Sequence, residues 1–134
     1  MLLPHGTVIA LVDGKKLELY RNIGDATAPD LLPVEPPGLD EQNRNAGARH
    51  VSSAANPPGH QIEEDSHAAA AADWLGHQVS ERQIAHLVII AAPRTLGEMR
   101  RRYHKSLEAA LIAEVHKDLN GSSAAEIVDA LKAQ

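Results

Sequence analysis

The 134-residue chain has no cysteine. This excludes disulfides, Cys-ligated zinc, iron–sulfur clusters and a thiol nucleophile. Phenylalanine is also absent and aromatics total 2%, so the core has to be aliphatic, built from Leu, Ile, Val and Ala. No apolar run approaches the ~20 residues that a membrane-spanning helix needs. The opening "MLLPHGTVIALVDGKK" has no basic start and is interrupted by Asp13 and Gly14, unlike a secretory signal. A cytoplasmic protein without membrane insertion is the expectation. An excess of positive charge is missing too. At a net charge of −5 the global field does not favour nucleic acid, and only a local basic patch can do so.

Several chemical signatures are absent as well. There is no Gly-rich phosphate loop and no Gly-x-Ser-x-Gly nucleophile elbow. The eight histidines show no zinc-ligand spacing. No cofactor and no metal site are expected.

What is present reads as one domain over residues 1–134. "TVIALV" (Thr7–Val12) is a buried strand. In "KKLELYR" Leu17 and Leu19 alternate with Lys16, Glu18 and Tyr20, the period of a half-buried strand. Asp13-Gly14 between the two runs signals a hairpin. Asp13 could be a metal ligand at a strand end, but the glycine beside it favours a turn residue. "APDLLPVEPP" gives a short strand, held to an edge by its prolines. From about Glu35 to Gly59 the chain is polar and rich in turn formers, with Arg44, Arg49 and His50 but few apolar anchors. A long flexible loop over 35–59 is the expectation.

A helix is predicted from Gln61 to about Gln83, with Glu63, Glu64 and Asp65 in its first turn and Ala68, Ala71, Ala72, Leu75 and Val79 as its apolar stripe. "HLVIIAA" is a buried central strand stopped by Pro93, and "TLGEMRRRYHKSL" reads as one helix with Leu96, Met99, Tyr103 and Leu107 on one side. Residues 111–116 fit either a strand or a helix. The last helix carries a capping box, Ser123 to Glu126. The order implies an α/β fold: a mixed sheet of about five strands with helices packed on it, of ribonuclease-H-like architecture.

The segments "VDGKKLELYR", "HLVIIAAPRTLGEMRRRY" and "AEVHKDLNGSSAAEIVDAL" resemble the bacterial host-attachment protein family. That family is similar in turn to bacterial relatives of the middle domain of archaeal and eukaryotic peptide-chain release factors. The resemblance implies a release-factor middle-domain-like fold with RNA or the ribosome as partner. In such release factors a Gly-Gly-Gln loop precedes a helix with a Glu-x-x-His-like segment. Here Gly59, His60 and Gln61 precede Glu64 and His67, and His60 replaces the second glycine.

Two candidate sites follow. The Gly59–Gln61 loop is the weak catalytic candidate, for hydrolysis of peptidyl-tRNA or RNA. The anion- or RNA-binding candidate is Arg94, Arg100, Arg101, Arg102 and Lys105, clustered on one helix whose amino end also favours anions. A solvated basic face explains the same residues. Glu64 and His67 share a helical face, but a di-iron site needs a second copy and two more glutamates. A ribonuclease-H nuclease needs converging carboxylates, yet Arg94 follows the central strand. The leading reading is a non-catalytic RNA- or ribosome-associated module. The alternatives are a hydrolase and a protein-interaction module working through the long loop. Contact with a host cell does not follow from the family's name.

Overall fold

A computed structural model describes residues 1–39 and 59–134. Five strands form one sheet in the order β3-β2-β1-β4-β5. They are β1 (Val8–Val12), β2 (Leu17–Asn22), β3 (Leu31–Val34), β4 (Leu87–Ala91) and β5 (Leu111–Val115). β1 pairs antiparallel with β2 and parallel with β4, β2 pairs antiparallel with β3, and β4 pairs parallel with β5. The mixed α/β sheet expected from the sequence is therefore present. Residues 111–115, open to two readings, form the parallel edge strand. A bulge between Leu87 and Val88 skips Ile112 and leaves its side chain at the surface.

Among the described residues there are four helices: α1 (Gly59–Ser80), α2 (Pro93–Arg100), α3 (Lys105–Ala110) and α4 (Ala124–Lys132). The period of two in β1 sends Val8, Ala10 and Val12 to one face and Ile9 and Leu11 to the other. The first face packs on Ala68, Ala71, Ala72 and Leu75 of α1 and on Leu96, Met99 and Leu107. Its small alanines let α1 lie close to the sheet. The second face, with Val88 and Ile90, packs on Ile127 and Leu131 of α4. The capping box is formed: Ser123 accepts from the Glu126 N–H at 3.2 Å, and Glu126 accepts from the Ser123 N–H at 3.0 Å. No helix among the described residues is long and apolar enough to cross a membrane.

Three expectations change. α1 begins at Gly59, so Glu63, Glu64 and Asp65 fall beyond the first turn, where no acidic residue stands, and the helix dipole there is weaker. The hairpin connection spans four residues, Asp13–Lys16, because the last pair is Val12 with Leu17. The predicted helix after Pro93 is two helices. α2 closes with Arg102 N–H bonded to the Met99 carbonyl at 2.9 Å, and His104 is extended before α3. At the break Tyr103 bonds to Glu114 of β5 and Arg102 to Asp73 of α1. The long flexible loop expected at 35–59 is a separate matter. Most of it lies outside the described residues, Arg44, Arg49 and His50 included, while Leu39 packs on the core cluster under α1.

Candidate functional site

Three parallel strands, β1, β4 and β5, end on the same edge of the sheet, the position at which ligands meet parallel sheets. β1 runs out at Val12, and the hairpin is held by Asp13. Its Oδ1 accepts from the backbone N–H of Lys15 at 2.7 Å and of Lys16 at 2.6 Å. Asp13 is thus the turn residue that its neighbouring glycine suggests. Partial burial pushes its carboxyl up, but these two N–H groups, the Asn120 amide and nearby His67 outweigh burial and hold it below its ordinary value.

α1 braces this turn. His67 is buried and its Nδ1 donates to the Asp13 carbonyl at 2.9 Å. One turn earlier, Glu64 lies against Gly14, where an added Cβ would collide with the Glu64 side chain. The Glu64-x-x-His67 pair therefore faces the hairpin and acts as a strut. Among the described residues no three His, Asp or Glu side chains converge to hold a metal ion.

The basic cluster is not one helical face, because it straddles the break between α2 and α3. Arg94 pairs with Asp65 of α1 at 3.3 Å, Arg100 with Glu114 at 2.8 Å, and Arg102 with Asp73 at 2.6 Å. Among the described residues Arg101 reaches only Glu98, three residues earlier, at 3.8 Å, and its side chain is 76% exposed. Lys105 makes no ion pair among the described residues. Three of the arginines thus join α2 and the turn after it to α1 and β5. At β5, Tyr103 Oη also donates to Glu114 at 2.9 Å. Burial, then this bond, raises the Tyr103 phenol. Burial pushes Glu114 up as well, but the Arg100 and Tyr103 bonds hold it below its ordinary value.

Gly59, His60 and Gln61 do not form a loop; they open α1 as its first turn. The backbone freedom that a Gly-Gly-Gln loop relies on is not present in this arrangement.

Beside the hairpin, between Lys15–Glu18 and the strap Pro36–Leu39, lies a pocket of about 400 Å³ with His67 in its wall. Sequence reasoning missed this pocket, because its two walls are joined only by the fold. It also missed the Asn120–Asp13 contact, although Asn120 belongs to the segment "KDLN". In space "VDGKK" meets Glu64 and His67 of α1, "APRT" meets Asp65, and "KDLN" meets Asp13. The separate stretches carrying the sequence resemblance converge on the carboxyl end of the sheet. The family model described as bacterial archaeo-eukaryotic release factor family 12 matches residues 6–131. No curated protein matches the chain.

Proposed function

We propose that this chain, which belongs to bacterial archaeo-eukaryotic release factor family 12, acts in translation as a non-catalytic, cytoplasmic module that associates with the ribosome or its RNA. The family match over residues 6–131 carries the reading. The convergence of the matching segments on one end of the sheet supports it. The helical setting of Gly59–Gln61 favours binding over peptidyl-tRNA hydrolysis. A host-attachment phenotype, which the sequence resemblance suggests, fits this reading as an indirect effect of altered translation.

Of the basic residues expected to touch RNA, we place the contact at Arg101 and Lys105. Arg94, Arg100 and Arg102 are engaged by carboxylates and contribute less. Each phosphate contact releases counterions, so binding weakens as salt rises.

Ribosome pelleting through a sucrose cushion, run beside a peptidyl-tRNA hydrolysis assay, tests the reading. The expected result is co-sedimentation at low salt without peptide release. The Arg101→Glu/Lys105→Glu variant should pellet severalfold less and with a shallower salt dependence. Peptide release would make the chain a hydrolase, and absence from the ribosomal pellet would overturn the ribosome association.

A further inference from the structure

We propose that the pocket beside the hairpin is a nucleotide site, with the phosphate held by Lys15 and Lys16 and the base laid against Pro36, Pro37 and Leu39. The choice of ligand class rests on the RNA-associated reading above; the location does not. The pocket's volume, about 400 Å³, lies within the range of small-molecule sites, roughly 300–1,000 Å³.

Its walls are chemically divided. Lys15 and Lys16 are exposed and make no ion pair among the described residues, unlike Arg94, Arg100 and Arg102. Their backbone is fixed by Asp13, whose Oδ1 takes both N–H groups. Both lysines thus line the pocket from one braced turn, and lysine ammonium groups bind phosphate as point charges. The facing strap is apolar carbon, and Leu39 is anchored on the core. A planar base can lie on such a wall without an aromatic partner, which suits a chain so poor in aromatics.

Glu18 lines the same pocket. A carboxylate accepts from an exocyclic amine, as it does from the cytosine amino group. It would repel a free dianion that had no base to offer in return. The site should therefore prefer adenine and cytosine nucleotides to uridine nucleotides, and either of these to inorganic phosphate. Free nucleotides and nucleotides within RNA share this chemistry.

The test is a titration of the ¹⁵N-labelled full chain with AMP, CMP, UMP, inorganic phosphate and the oligonucleotides A5 and U5, followed by amide chemical shifts. AMP should move the Lys15, Lys16 and Leu39 resonances. Lys15→Glu/Lys16→Glu should weaken AMP binding at least tenfold with an unchanged thermal midpoint, and Glu18→Gln should abolish the preference for AMP over UMP. A5 binding tighter than AMP would mark the site as reading an RNA chain; equal affinities would mark it as reading the free nucleotide. AMP shifts that avoid the pocket, an undiminished affinity in the double variant, or phosphate binding as tightly as AMP would overturn the proposal. Ribosome pelleting of the same double variant keeps the two ideas apart. Wild type that pellets but shows no pocket shifts removes the nucleotide site alone. Pocket shifts without pelleting remove the ribosome association alone.

Discussion

The two ends of the sheet handle their polar groups differently. At the amino end of the parallel strands, Asn22 closes β2 in full burial. Its Nδ2 donates to the Leu3 carbonyl at 2.7 Å and the Asp25 carbonyl at 3.3 Å, and its Oδ1 accepts from Gly24 and Asp30 at 2.9 Å each. One side chain ties the N-terminal segment to the 23–30 loop and leaves neither of its polar atoms unpaired. At the carboxyl end, Asn120 gives its amide to Asp13, while its Oδ1 is buried with no partner among the described residues. Beside it stand two exposed lysines and an open pocket. An end built for stability satisfies its polar groups internally. An end that keeps unpaired cations and a concave surface has capacity left for a ligand.

The largest expected effect tests that contrast directly. Asn22→Ala orphans buried backbone groups on two segments. At ~1–3 kcal/mol for a group left unsatisfied, and with some relaxation of the loop, the loss should be about 3 kcal/mol. Asn120→Ala removes one hydrogen bond but also an unpaired buried acceptor, so its effect should stay below about 1 kcal/mol. Denaturant midpoints with a shared slope measure both. Equal losses would show that the carboxyl end is as tightly stitched as the amino end.

The sequence displayed one kind of information well. Strand faces, the Ser123–Glu126 capping box, the edge position of the proline-bearing strand and the apolar stripe of α1 are all local patterns with fixed periods, and the fold follows them. The break at residues 101–104 was not legible. Leu96, Met99, Tyr103 and Leu107 keep a helical period across it, and the partners met at the break, Asp73 and Glu114, are distant in sequence. For the same reason the arginines read as one face although they answer to three different elements. Periodicity identifies which residues are buried, but ion pairing depends on where other elements bring their carboxylates. Gly59–Gln61 misled in the opposite way, because glycine and a preceding run of prolines suggest a loop where the helix in fact begins.

The Arg100–Glu114–Tyr103 cluster supplies an intermediate effect with a defined pH dependence. Burial works against the Glu114 charge, but the Arg100 and Tyr103 bonds hold its folded-state value below the ordinary one. Ionised Glu114 therefore favours the folded chain. Its contribution is complete above the ordinary carboxylate range and is lost as pH falls through the depressed folded value. Glu114→Gln should lower the denaturant midpoint at pH 7, and the gap from wild type should close as pH drops below about 4, near the unperturbed Glu value. The Arg100 side chain is half-exposed, so the effect should be smaller than that of Asn22→Ala. A gap that is constant between pH 7 and pH 3 would mean that Glu114 contributes shape and not charge.

The smallest effect has the opposite sign and sharpens the contrast from the stable end. α1 ends in a turn that feeds β4, and there Arg82 has φ 63, a left-handed conformation that crowds the Cβ of an L-residue. Its N–H bonds to the Val79 carbonyl at 3.0 Å, and the next N–H, of Gln83, bonds to the Gln78 carbonyl at 2.9 Å, so the conformation is part of the helix stop and cannot relax without undoing it. The left-handed region costs about 1–2 kcal/mol for a residue with a Cβ. Glycine removes that cost but gives back part of the gain through its freer unfolded chain. Arg82→Gly should therefore raise stability by up to about 1 kcal/mol, read as a higher thermal midpoint. Because Arg82 stands at the amino end, far along the sheet from Lys15 and Lys16, its loss should leave the AMP titration unchanged despite the removal of a positive charge. A variant that is stabilised but binds AMP less well would show that the nucleotide site is not confined to the carboxyl end. A variant that is destabilised would show that the Arg82 side chain supports the turn in which its backbone is strained.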